Sequence, residues 1–380
     1  MPKKNLLLLV LCALLIGPVA AISGHLFLTS LDYVTLWRLS HPILIWTLPL
    51  LGFAMTFAYK KIPAKINWSV THFLFELRNP RHRANPFSAL WIFLTTCLIH
   101  LGGGSAGREG AGLIISAGLV DGAIPFKEDS EERTHLLQAA LSAGFTGVFG
   151  TPLTALFFIF EVNNYKSALS PLRWITVILA ISSTTLTAKF LGTPHDHFPA
   201  YTSVSWKGFG LLLLAIPIAA YGFYYALKFF HKSFKHLGFF ELPVGGLMIA
   251  LIVTFIGSRY SGLGISAIAN AVAGNGSLPW DWIAKILLTA LTIGVGFKGG
   301  EVTPLFFIGS TLGATLSVFS GDVDLAKLGM VSLFGALTHS PLSMGILAAE
   351  LFGPTAFVGS FIISLWGKYT LRGRHLYRLE

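Results

Sequence analysis

The sequence predicts an all-α polytopic membrane protein assembled from two copies of one membrane half, and three observations carry that prediction. Of its 380 residues, 53% are hydrophobic and only 12% charged. Together with a mean hydropathy of +0.69, this suits a chain solvated largely by lipid. Two glycine-rich stretches, 102–118 and 296–314, each place an acid just ahead of, or at the start of, an apolar run that reads as a helix. The two halves also align with each other. Glu109 falls on Val302 and Ala111 on Pro304, an offset of 193 (302 − 109). At an offset of 189 (334 − 145), Phe145 meets Phe334, Pro152-Leu153-Thr154 meets Pro341-Leu342-Ser343, and Glu161 meets Glu350. Interrupted apolar segments in corresponding positions point to a transport site near the bilayer midplane.

In the first stretch Glu109 sits among seven glycines. A bare charge in hydrocarbon is costly, so a carboxylate kept there suggests a use. Glycines let the backbone approach a ligand closely, and a helix that starts here aims unpaired N–H groups and its positive end forward. The pattern describes an anion site with a carboxylate that competes for it. A small-residue packing seam accounts for the glycines but not for the acid. In the second stretch Gly299-Gly300 precedes Glu301, and Pro304 falls in a first helical turn, where a missing N–H is harmless. Glu301 either caps that helix or handles protons.

Taken in order, Lys3-Lys4 and Leu6–Ala21 fit both a signal peptide and a first transmembrane helix. The retained helix is favoured because everything downstream is also membrane-like. Residues 42–59 form the next apolar span, and 61–86 read as a polar connector containing Trp68-Ser69-Val70-Thr71-His72. That segment lies one repeat before Ser261-Gly262-Leu263-Gly264-Ile265, which makes it the ion-pathway equivalent in the first half. An apolar run at 87–101 leads into the first glycine stretch, and Asp121 to Arg133 reads as a charged surface link. Helices follow at 135–161 and 172–191, with His195-Asp196-His197 in an exposed loop. The second half starts near Trp206, with spans at 207–230 and 243–258 and a Gly-rich link at 261–276. Further spans lie at 282–296, 303–319, 325–352 and 354–368. Domain boundaries are set at 1–200 and 201–380, with no cytoplasmic regulatory domain. Many of these segments are short or broken, and non-helical backbone at membrane depth is tolerated only where protein or a pathway buries it.

The net charge of +10 resides mostly in short polar segments such as Lys60-Lys61 and Lys228 to Lys235. Loops of a membrane protein explain it without a nucleic-acid partner. Cys12 and Cys97 lie in apolar runs and form no disulfide framework, and the histidines show no metal-ligand spacing. No metal and no cofactor is expected. No nucleophile–base pair adjoins either glycine motif, which argues against an enzyme. A passive scaffold leaves the acids at two related helix starts unexplained.

Gly107-Arg108-Glu109-Gly110, Gly299-Gly300-Glu301-Val302-Thr303-Pro304 and Gly373-Arg374-His375-Leu376-Tyr377 resemble the CLC family of anion channels and anion/proton antiporters. The likeness covers nearly the whole chain. It implies a CLC-type inverted repeat of two halves with broken, tilted helices. The Lys298-Gly-Gly-Glu-Val-Thr-Pro wording resembles the fluoride/proton antiporter branch, since the chloride branch usually carries Phe where Val302 stands. Phe75-Glu76 with Asn79-Pro80 points the same way.

The resemblance makes Glu109 the gating glutamate, which fills an anion position when charged and leaves it when protonated. It assigns the amides of Arg108, Glu109 and Gly110 to an outer anion site. The amides of Glu301 and Val302, with the Tyr377 hydroxyl, would hold a central anion; Thr303 is either a helix-start residue or an ion contact. N–H dipoles bind an anion without the immobilising strength of a full cation. The family's GSGIP-type loop is replaced by Trp68 to Thr71, with Ser69 or Thr71 as its hydroxyl, and Ala111 stands for the family's proline. The proton-relay glutamate of chloride exchangers would fall on Val162. Lys298 either neutralises Glu301 or attracts anions. The expected activity is fluoride export coupled to proton import in the inner (plasma) membrane, by a homodimer. A chloride channel or chloride/proton antiporter of the same fold is the alternative.

Overall fold

Apolar runs punctuated by glycine and proline give an architecture of helices alone. The computed structural model describes residues 3–63, 66–163 and 170–377, and among these there are sixteen α-helices and no β-strand. The first eight are α1 (Lys3–Ser40), α2 (Leu48–Lys61), α3 (Val70–Arg78), α4 (Phe87–Leu101), α5 (Glu109–Asp121), α6 (Glu131–Phe149), α7 (Pro152–Val162) and α8 (Pro171–Phe190). The second eight are α9 (Trp206–Lys235), α10 (Glu241–Ile256), α11 (Ile265–Val272), α12 (Asp281–Gly294), α13 (Val302–Ser320), α14 (Leu325–Thr338), α15 (Pro341–Phe352) and α16 (Ala356–Thr370). Residues 6–21 do not end at the small residues near Ala21, because α1 runs on to Ser40 through Pro18. At 38 residues it measures about 57 Å, well beyond the roughly 30 Å of a bilayer core.

Among the described residues, five helical segments are long and apolar enough to cross a membrane. Four of them, in α1, in α2 with the 3-10 turn before it, in α9, and in α10 with the turn before it, are only 28–33% buried over their most apolar windows. The fifth, α13, is 72% buried, so it is an interior helix despite a span-like composition. It packs on α14, and α5 packs on α6. Small residues permit both contacts. A Cβ on Gly309 would collide with the Gly329 carbonyl, and one on Gly144 would lie 2.7 Å from the Gly112 oxygen. Helices α1, α8, α9 and α16 pack around these pairs and turn apolar side chains outward, among them Leu15, Leu186, Leu214 and Val358.

The expected helices at 135–161 and 325–352 are each broken in two. Gly150 takes a left-handed conformation (φ 76°) before Thr151-Pro152, and His339 does the same (φ 58°) before Ser340-Pro341. A left-handed residue ends a helix and a proline starts the next. The connectors at 61–86 and 261–276 are corrected as well. They contain α3 and α11, which are only nine and eight residues long.

The link from Asp121 to Arg133 is not a surface feature at its ends. Arg133 is fully buried and donates to Asp121 through Nε at 2.7 Å and Nη2 at 2.8 Å, and to Glu76 through Nη1 at 3.4 Å. Glu76 also accepts from the backbone of Arg81 and His82. A buried cation is tolerated when its donors are met in this way. The exposed part of the link is the stretch between these two residues.

Candidate functional site

The two glycine stretches meet in space. Gly107 and Gly300 exchange backbone hydrogen bonds, N of 107 to O of 300 at 2.5 Å and N of 300 to O of 107 at 2.8 Å. Both positions are tight for a side chain. A Cβ on Gly107 would lie 3.0 Å from the Gly300 oxygen and from Pro304 Cδ, and one on Gly300 would lie 3.0 Å from the Gly110 nitrogen. Ser105 anchors the first loop to α12 through Thr292 Oγ1 (3.1 Å) and Thr289 Oγ1 (2.8 Å). This junction fixes the N-termini of α5 and α13 beside each other, so two positive helix ends share one interior region.

Glu109 fills that region. It is the first residue of α5, is fully buried, and reaches across to the start of α13. Its carboxylate accepts from the Thr303 amide at 3.2 Å and from the Thr303 hydroxyl at 2.6 and 2.8 Å, and also from the Arg108 amide at 3.3 Å. The Arg108 guanidinium stands 3.5 Å from it and donates to Asp196 at 2.6 Å. The carboxylate therefore takes up the donors that a free anion at a helix start would use.

Cavities adjoin it through its chain neighbours. Arg108 lines one of about 710 Å³, together with Asp196, Arg38 and residues 258–266 other than Tyr260 and Gly262. Gly110 lines another of about 280 Å³, together with Trp68 to Thr71, Lys298 to Glu301 and Tyr377. Glu109 stands between the two lining residues.

Residues 51–372 match the protein-family profile described as voltage gated chloride channel. The chain belongs to that family. It is 33% identical to a chloride/fluoride channel protein of Pseudomonas syringae pv. tomato, across 95% of this chain and 84% of the relative. It superposes on the crystal structure of a CLC-type fluoride/proton antiporter with a TM-score of 0.91 and 27% identity, over 99% of this chain and 98% of that one. A slow cyanobacterial Cl⁻/H⁺ antiporter shares the fold at a TM-score of 0.82 and 16% identity, over 97% and 96% of the two chains. The expected all-α CLC fold is thus observed, and the chain is a multi-pass membrane protein.

Within this CLC frame the remaining candidates take definite places. Tyr377 is buried and its hydroxyl donates to the Glu301 carboxylate, so in this state it faces an acid. Glu301 is the residue before α13, half-buried on the smaller cavity. Val302 and Thr303 form the first turn of α13 and are buried. A Cβ on Gly110 would come within 3.3 Å of Gly300 Cα, so its glycine keeps the two loops in contact. Ser69 lines the smaller cavity, but its oxygen caps α3, accepting from the His72 amide at 3.4 Å and meeting His72 Nδ1 at 2.8 Å. Lys298 forms no ion pair with Glu301 within 4.0 Å; its ammonium lies 5.7 Å over the Tyr59 ring.

Two features escape a sequence reading. Asp196 sits in the predicted exposed loop, yet it holds Arg108, the arginine beside Glu109. Glu161 and Glu350 do more than close their own helices, because each caps a helix of the other half. Glu350 accepts from the amides of Leu153 (2.9 Å) and Thr154 (2.8 Å) at the start of α7. Glu161 accepts from those of Leu342 (3.0 Å) and Ser343 (2.7 Å) at the start of α15. The repeat offset predicts that the two acids correspond, but not that they cross over.

Proposed function

We propose that this protein moves fluoride out across the cell's plasma membrane in exchange for protons, with Glu109 as the coupling group. The observation that carries the reading is the Glu109 carboxylate on the amide and hydroxyl of Thr303, at the start of α13. A deprotonated Glu109 is a tethered anion in the path of a free one. Protonation removes its charge and weakens its hold on these donors, so a soluble anion takes its place and the two movements become linked.

Fluoride is favoured over chloride by the density of donors. Fluoride is small and strongly hydrated, so it needs several close hydrogen bonds rather than a wide pocket. The Thr303 hydroxyl and amide supply two at one point. Arg108, Gly110 and Val302 contribute backbone amides, and Glu301 with Tyr377 forms a second carboxylate station that can pass a proton. Ser69 contributes to the wall of the smaller cavity. The name of the fluoride/proton antiporter that this chain resembles supports the same substrate. Residues 1–200 and 201–380 are the two halves of the transport unit, the working form is a homodimer, and the activity is transport rather than catalysis.

Efflux from proteoliposomes, followed with fluoride and chloride electrodes with and without a pH gradient, tests the reading. Proton-coupled fluoride flux that disappears in Glu109→Gln is the expected result. Equal fluoride and chloride fluxes would leave a general halide exchanger. No flux from well-folded protein would remove transport altogether.

A further inference from the structure

Two hydrogen-bond donors on α1 are shielded from solvent and have no partner among the described residues: Thr35 Oγ1 and Arg38 Nε. They are three residues apart, so they share one face of the helix. Both line the larger cavity, on the Arg108 side of Glu109. Arg38 is only 3% exposed, and a buried cationic donor without an acceptor is unfavourable.

Of the arginines on this cavity, Arg38 is the one without a carboxylate partner among the described residues. Arg108 is matched by Asp196 at 2.6 Å, and Arg259 by Asp281 at 2.7 Å. Arg38 has no carboxylate within 4.0 Å among the described residues; its Nη1 donates to Ser261 Oγ, whose own hydrogen goes to the Ser258 carbonyl at 2.6 Å. Asp32 also lines the cavity; on α1 it lies six residues back from Arg38, about 9 Å along the axis, and three back from Thr35, about 4.5 Å along it. On the other side of the 260–262 loop is the fully buried Lys285, which donates to the carbonyls of Tyr260 at 2.9 Å and Gly262 at 2.7 Å. It too has no carboxylate within 4.0 Å among the described residues.

The fold makes room for Arg38. Gly103 and Gly262 both take left-handed conformations (φ 79° and 60°) beside it, and a Cβ on Gly262 would lie 3.1 Å from Arg38 Nη2. A purely structural strut from α1 to the 258–262 loop accounts for the Ser261 contact. It does not account for the two free donors, Thr35 Oγ1 and Arg38 Nε.

We propose that Thr35 and Arg38 form an additional binding site for a small monovalent anion in this cavity, separate from the position held by the Glu109 carboxylate. The site's place on a transport route rests on the function proposed above; the binding itself does not. Thr35 Oγ1 and Arg38 Nε donate to the anion. An anion held there stands ready to enter when Glu109 leaves, which raises its local concentration at the gate.

Titration calorimetry of detergent-purified protein with sodium fluoride tests the site, with chloride as a second probe and sodium gluconate as the ionic-strength control. Thr35→Val keeps the side-chain shape, and Ser266→Glu puts a carboxylate at an exposed position on the cavity wall. Both should weaken one anion-binding event about tenfold, and Arg38→Met should abolish it. In flux, Thr35→Val and Ser266→Glu should raise the half-saturating fluoride concentration with little change in maximal rate. Wild-type binding and kinetics in both of these variants would overturn the site and make its occupant water, even if Arg38→Met fails to fold. Altered binding with no flux in any protein would keep the site and remove the transport function instead.

Discussion

Thr303 meets Glu109 through both its amide and its hydroxyl, which makes this one side chain the sharpest probe of the proposed gate. Thr303→Val keeps the β-branched shape and the amide but deletes a hydrogen bond to a charged group, an interaction worth about 1.5–3 kcal/mol. Fluoride turnover in proteoliposomes should fall about tenfold or more, and Thr303→Ser should restore most of it. Equal rates for Val and Thr would place the anion elsewhere. At this scale the sequence is uneven. An acid among glycines marks Glu109, because few other reasons keep a carboxylate in apolar surroundings. Nothing local marks Asp196 as the partner of Arg108, since the two lie 88 residues apart in the chain. The Tyr377–Glu301 contact was hidden for the same reason, although each residue drew attention separately.

Helix starts and stops were legible where a single residue dictates them. The starts of α5 at Glu109 and α13 at Val302 follow from glycine turns and a first-turn acid or proline. The short helices α3 and α11 were not, because eight or nine residues give too little apolar periodicity to stand out from a polar connector. The break before α15 falls at His339, where a non-glycine residue adopts a left-handed conformation that its type does not announce. At the level of elements the reciprocal caps are the testable feature. Replacing Glu161 or Glu350 by Leu strands two backbone amides and a hydroxyl at a helix start. Each change should cost about 3 kcal/mol and lower the apparent melting temperature in detergent by several degrees. Unchanged melting in both variants would show that water takes over the capping.

Over the whole molecule the same caps tie one half to the other, as does the Gly107–Gly300 junction. The linking segment is held as well: Thr202 and Ser203 donate to Asp324, Ser205 donates to Asp322, and Lys327 donates to the Ala200 carbonyl. Fragments 1–200 and 201–380 should therefore aggregate when expressed singly and assemble when co-expressed, as size-exclusion chromatography can report. A monodisperse single fragment would contradict this mutual dependence. The internal repeat made the pairing of segments visible from sequence. It did not show that the partners interlock, since an offset relates positions and not contacts. The crossed acids bear finally on where anions do not go. Any helix that begins among apolar side chains attracts negative charge, and α7 and α15 begin this way as surely as α5 and α13. Left bare, their first turns would be dead ends in which an ion could lodge without reaching the far side. With Glu161 and Glu350 seated on them, those two starts are already filled, and under the proposed cycle a travelling ion is left with the helix starts that Glu109 guards.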